Sequence, residues 1–227
     1  MALLGRAALA MWWNMSTGAR HDFEHWHAHE HFPERLGIPG FRRASRWISA
    51  DGGEGVFVMY ELEDHGVLGS AAYLARLNAP TPWSQRLMPH HRNMVRSQCR
   101  VLESRGGLTA RQALTIRMSP SEGRSDGLRA ALRNLGGELA RQPGLAGLHL
   151  MRHEPPAIAP TEEQRIRGLS DQVADWVLVA CGYDAAQLQD VSRSALDDAA
   201  LVAMGAQSGI WRGTYALAYS ATPVDMA

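Results

Sequence analysis

The sequence predicts an α+β protein in which two copies of one strand–helix–strand–strand–helix–strand unit stand in tandem and close into a single barrel. Three observations predict it. Two matching turns, Ile38-Pro39-Gly40-Phe41 and Gln142-Pro143-Gly144-Leu145, each follow a helical stretch and open a strand. Around these turns the two halves of the 227-residue chain give the same order of elements. A lone sheet of this kind carries helices on one face only, and a second copy in the same chain covers the other. The fold class is therefore α+β: two tandem ferredoxin-like βαββαβ units with antiparallel sheets.

In the first unit, residues 8–15 read as a strand and 19–32 as a helix. Residues 41–49 and 56–62 form a strand pair around Asp51-Gly52-Gly53, where glycine readily supplies positive φ. A second helix at 68–77 and a strand at 94–103 complete it. In the second unit, 113–118 is a strand and 125–141 a helix with Ser125 as N-cap. Strands at 147–153 and 176–183, a helix at 185–204 and a strand at 210–220 follow. Arg105-Gly106-Gly107 breaks regular structure at the join, dividing the chain into units 1–105 and 106–227. The second strand pair is interrupted by 154–172, which begins with Pro155, Pro156 and Pro160. Such a loop reads either as a lid or contact arm or as a solvated insertion with a short helix near 162–169.

Composition removes several function classes. Acidic and basic residues balance at 23 each, which gives no electrostatic reason for a nucleic-acid or anionic-membrane partner. No apolar run reaches a membrane span. The apolar start at 2–15 is interrupted by Arg6 and followed by Trp12, Trp13 and Asn14, a poor secretory signal. Cys99 and Cys181 fit no zinc spacing and fall in expected strands, so a reducing, cytoplasmic setting is expected. No nucleotide loop, nucleophile elbow or Cys/His dyad is present.

The first helix carries five of the ten histidines: His21, His25, His27, His29 and His31. Pro33 disfavours helical geometry at Phe32, so the helix is expected to end near His31. At about 100° per residue Phe23, Trp26, His27 and Glu30 share one face, with His31 on its flank, while His21, His25 and His29 point to solvent. The matching helix of the second unit presents Leu128, Ala131, Leu132, Leu135 and Leu139, an ordinary core stripe. Imidazole and carboxylate thus replace leucine-type side chains on the inward face of one of two matched helices, and they need partners or a cavity. Three readings stand: surface composition with satisfied polar groups, a proton-transfer or ligand-orienting site on His31 and His27, and a metal site. His27 and His31 have i, i+4 spacing for two imidazoles on one ion, but no third ligand is forced; Glu24, Glu34, His90 and His91 are the candidates.

The segment from Trp26 to Pro33, followed by Ile38-Pro39-Gly40-Phe41, resembles the EthD-like branch of the dimeric α/β-barrel proteins, with Trp26, His31, Pro33, Pro39 and Gly40 at the matching positions. The resemblance covers roughly the first half. It implies a cleft between sheet and helices and small-molecule enzymes such as isomerases, decarboxylases, dehydrochlorinases and cofactor-free monooxygenases, beside members of unknown role. It favours His31 as the site residue and does not choose a reaction; no cofactor and no metal are expected.

Strand alternation places Trp12 and Asn14 on one face against Leu9, Met11, Trp13 and Met15. It also sets Arg43, Ser45 and Trp47 against Arg42, Arg46 and Ile48; the arginines read as rim salt bridges or as anion ligands. Thr81-Pro82-Trp83 and Pro89-His90-His91 bracket the approach to the fourth strand. The expected catalytic residues are His31, His27 and Glu30, and the expected substrate-binding residues are Trp26, Trp12, Asn14, Arg43 and Trp83. The first functional expectation is a proton-transfer enzyme for an aromatic or enolisable carbonyl compound, imidazole having its ordinary pKa near working pH. The alternatives are a non-catalytic small-molecule-binding or assembly protein, and a haem- or metal-dependent oxidoreductase. Homodimerisation is open to all three.

Overall fold

The computed structural model describes residues 3–226; Met1, Ala2 and Ala227 lie outside that range, and with Ala2 the first residue of the apolar start. Eight strands form one closed barrel: β1 (Ala7–Asn14), β2 (Phe41–Ser49), β3 (Gly55–Leu62), β4 (Arg92–Gly106), β5 (Gln112–Met118), β6 (Leu145–His153), β7 (Trp176–Gly182) and β8 (Trp211–Ala221). Their order is β1-β3-β2-β8-β5-β7-β6-β4, every neighbouring pair antiparallel. Read as β4-β1-β3-β2 and β8-β5-β7-β6, the two halves have identical strand order, as two tandem ferredoxin-like units require.

Both anchor turns place glycine where a side chain is strained: φ is +93° at Gly40 and +88° at Gly144. The closure is made by β2 against β8 and by β4 against β6. β4 is longer than the sequence pattern indicates because its first part pairs with β1 and its last part, Cys99–Gly106, with β6. At that end a Cβ on Gly147 would lie 2.4 Å from the Gly107 carbonyl oxygen and 2.7 Å from that of Arg105. Gly147→Ala is expected to cost about 1–3 kcal/mol of unfolding free energy, measured by urea titration; an unchanged midpoint would show that this corner yields freely.

Three hydrophobic layers result. The barrel interior is filled by Trp12, Trp47, Phe57, Met59, Val177, Val179 and Tyr215. Outside it, the first unit's helices pack through Phe23, Trp26 and Phe32 on Leu9, Trp13 and Tyr60. The second unit's helix α5 (Ser125–Leu139) packs Leu128, Leu132 and Leu139 on Ile116, Leu148 and Leu178. No helix among the described residues is long and apolar enough to cross a membrane.

The helical elements depart from expectation in four places. The first helix runs on through Pro33 as α1 (Thr17–Trp26), a π-helical turn (His27–His31) and α2 (Phe32–Leu36). The second helix is the shorter α3 (Ala71–Asn78), capped by the Ser70 hydroxyl, and α4 (Pro82–Leu87) follows it, started by Thr81. Ser125 is not an N-cap: Arg124 holds that position without a side-chain bond, because the turn from Ser121 already leads into the helix. The stretch 185–204 is two helices, α7 (Ala185–Arg193) and α8 (Asp198–Met204), the second capped by Asp197. The insertion contains α6 (Glu162–Ile166), begun by a reciprocal Thr161–Gln164 capping box.

Candidate functional site

Pro33 has no N–H to offer the His29 carbonyl, and its ring crowds that oxygen in a regular helix. One extra residue in the preceding turn relieves the crowding: the Phe32 N–H donates to the His27 carbonyl, an i to i−5 bond. The helix therefore continues instead of ending at His31, and the widened turn rotates His31 from the flank to the inner face. His27 and His31 stack with ring centroids 5.3 Å apart and planes 24° apart. Trp26 lies against His31 at 4.4 Å.

These rings wall a cavity between the first unit's sheet and its helices. Leu9, Met11 and Trp13 from β1, Tyr60 from β3, Met94 and Arg96 from β4 and Tyr73 from α3 complete the lining, together with Arg35, Met88, His91, Glu163 and Arg167. The cavity is narrow, about 40 Å³, enough for a few waters or a slim group. Met11, Met88 and Met94 give it walls that adapt by rotamer changes. The equivalent space in the second unit is filled by leucines.

Several buried polar atoms have no hydrogen-bond partner among the described residues: Nδ1 of His27 and of His31, the Tyr60 hydroxyl and Nε1 of Trp13. Such orphans are rare in dry protein and mark a place that a ligand or water completes. Burial above all holds the His27 and His31 pKa values well below 6.5. His31 and Arg46 add to the effect at His27, and Arg35 adds to it at His31. Both rings are neutral at pH 7. His91 is drawn down to about 3, again mainly by burial. Its Nδ1 lies 3.1 and 3.2 Å from the Leu87 and Met88 carbonyls, so in the neutral ring that atom carries the proton and Nε2 is bare.

Charge enters from the floor and the lid. Arg35, on α2, is buried and ion-paired with Glu163 of α6, so the insertion closes over the cavity. Burial opposes the Arg35 charge, but Glu163, Tyr73 and Glu34 outweigh it and raise its pKa. Arg167 is held bidentately by Asp171, at 2.7 and 3.1 Å. Arg96 donates to the Tyr73 hydroxyl at 3.1 Å. Glu34 lies 3.9 Å from His31 Nδ1, its carboxyl pKa raised by burial.

Of the residues the sequence singles out, the structure brings His27, His31 and Trp26 together at the cavity. Glu30 is half-buried just behind: it accepts from Trp26 Nε1 at 3.0 Å and from the Thr81 hydroxyl, so it holds the indole that lies on His31. Trp12 faces the barrel interior, stacked on Phe57 at 5.0 Å with its Nε1 donating to Thr115; its neighbour Trp13 lines the cavity instead. Asn14 lies at a separate open groove with Glu54 and Tyr215. Arg43 pairs with buried Glu61 at 3.5 Å, and Trp83 packs on the outer side of α1 through Asp22 and His25. Tyr60, Tyr73, Arg35, Arg96, Glu163 and Arg167 were not singled out by the sequence. Among the described residues no three His, Cys, Asp or Glu side chains converge as metal ligands.

No protein-family model matches the sequence, and no curated protein matches it. Solved structures share the fold along the whole chain. An anthrone oxidase-like protein superposes with a TM-score of 0.65 at 10% identity, over 100% of this chain and 98% of its own. A provisionally named monooxygenase from Fusobacterium nucleatum subsp. nucleatum gives 0.63 at 7% identity, over 97% and 96%. A ferredoxin-fold protein from Listeria monocytogenes, related to antibiotic biosynthesis monooxygenases, gives 0.50 at 9% identity, over 96% and 97%. At these identities the likeness shows a common ferredoxin-like barrel and nothing finer.

Proposed function

We propose that the chain is an enzyme that removes or relocates a proton on a small aromatic or enolisable carbonyl compound, with His31 as the base. The observation that carries this reading is the pair of stacked, neutral imidazoles whose Nδ1 atoms are buried and unpartnered at the one cavity that replaces a leucine core. A neutral imidazole at pH 7 is free to accept a proton without first losing one. Its lowered pKa makes it a weak base, which restricts the chemistry to acidic C–H or O–H groups whose conjugate base is delocalised. The Tyr60 hydroxyl, unpartnered across the cavity, supplies a donor for the developing oxyanion. His27 stacks on His31, and Glu30 acts through Trp26 to fix the ring plane; both are positioning residues. The EthD-like motif at Trp26, His31 and Pro33 supports the same assignment, as do fold neighbours named oxidase-like and monooxygenase.

The test is hydrogen–deuterium exchange at the α-carbon of 2-indanone in D2O, followed by proton NMR. The wild-type chain is expected to exchange faster than buffer, with a rate that stays level as pH falls through 6.5. His31→Gln is expected to slow it about 100-fold or more, and Glu30→Gln by less. Exchange at the buffer rate, or exchange indifferent to His31, would overturn the reading. Binding without exchange would instead make the chain a small-molecule-binding module.

A further inference from the structure

We infer that the ligand of this cavity is already an anion when it binds, and that Arg96 is the residue that selects it. The inference rests on the cavity being the ligand site but not on proton transfer. Its ground is the charge inventory of the walls. Arg35 has Glu163 and Glu34, and Arg167 has Asp171 and Glu163. Arg96 is 8% exposed and forms no ion pair among the described residues; its side chain donates one hydrogen bond, to the Tyr73 hydroxyl.

An unpaired buried guanidinium is costly, and apolar replacements at such positions are often neutral or stabilising. Arg96 sits on a strand whose neighbours facing the same side include Met94, so a methionine there would continue the apolar surface. A resting charge needs a resting counter-charge. An oxyanion that develops only in the transition state does not balance it. A carboxylate does, and the Arg96–Tyr73 pair is suited to it. Tyr73 accepts from Arg96 and so keeps its own proton to donate, while Arg96 retains further N–H groups for a second bond. Glu163, the carboxylate that lines the cavity, is already engaged by Arg35 and Arg167 and so competes little for Arg96. The ligand class is therefore a small organic carboxylate whose carboxyl sits at Arg96 and whose remaining atoms reach His31.

The test uses pairs of equal shape and different charge, acetate against acetamide and benzoate against benzamide. Binding is followed by calorimetry and by the emission of Trp13 and Trp26 in the wall. Each carboxylate that enters is expected to bind at least about 30-fold more tightly than its amide. Arg96→Met is expected to abolish that preference and raise the melting temperature of the free protein. Tyr73→Phe is expected to weaken carboxylates about five-fold while leaving amides unchanged. Arg96→Gln, which keeps a donor to Tyr73, serves if the methionine variant does not fold. Amides bound as well as carboxylates, no carboxylate bound, or chloride bound as tightly as either carboxylate would each overturn the assignment. Proton transfer is read separately, as exchange at the carbon α to the ketone of pyruvate, which joins an enolisable carbonyl to a carboxylate. Its absence sinks the proton-transfer reading and leaves charge selection standing, and the reverse result does the opposite.

Discussion

Lowering the pH from 7 to 5 is expected to remove about 5 kcal/mol of stability, a large share of what a domain of this size holds. The source is the histidine cluster. In the unfolded chain each imidazole takes up a proton near pH 6.5, whereas His27, His31 and His91 in the folded chain do so only well below it, chiefly because they are buried. Above pH 6.5 the rings are neutral in both states and contribute no slope. Below it the unfolded state binds more protons, so stability falls by about 1.4 kcal/mol per pH unit for each ring. His149, drawn to about 4 by burial between Ser104 and Gly107, adds to the slope. Glu34 and Glu61, raised by burial, act the other way as they protonate at lower pH. Urea titrations at pH 7, 6 and 5 measure the effect. The double variant His27→Leu/His31→Leu restores the leucine stripe of the second unit and is expected to flatten the slope by about half. A stability that stays level from pH 7 to 5, or a double variant with the wild-type slope, would show that these rings are not held neutral.

What the sequence made legible follows from local rules. The two Pro-Gly turns, the glycine hairpin and the repeated element order are short-range signals, and they suffice for strand order and closure. The identity of the two strand faces is not short-range. β1 is buried on both sides, one by the barrel interior and one by helices, so alternation separates Trp12 from Trp13 without saying which meets the histidines. Helical periodicity assumes a regular turn and so puts His31 on a flank, whereas the π turn ahead of Pro33 changes the phase by one residue. Arg35, Arg96, Glu163 and Arg167 reach the cavity from distant parts of the chain, Arg35 and Glu163 being 128 residues apart. Their convergence is a property of the closed fold. The replacement of leucine by histidine between matched helices was the one long-range signal available, because the repeat supplies its own reference.

The clasp between Arg35 and Glu163 is where the second large effect is expected. Each side chain is almost fully buried, and together they tie α2 to the insertion that roofs the cavity. Removing one partner of such a pair strands the other, at about 3–5 kcal/mol. Here each survivor keeps a poorer substitute: Arg35 would have Glu34 at 3.4 Å, and Glu163 would have Arg167 at 4.0 Å. Arg35→Met and Glu163→Met are therefore expected near the lower end, about 3 kcal/mol each. The double variant replaces two charges by two apolar side chains against Met88 and Met94, and is expected to lose less than either single change. A coupling free energy of at least about 2 kcal/mol from the four-way cycle identifies the pair as the clasp. The Glu163→Met variant should also be cut by protease within 154–172 faster than the wild type, because its roof is released while the barrel stays closed. Additive losses in the cycle, with no change in cleavage, would mean that the insertion is held by its other ties. These include the backbone bonds of Gln172 to Met94 and Arg96, that of Glu154 to Gln98 and the bond of Glu162 to Asn78, and in that case the cavity would open elsewhere.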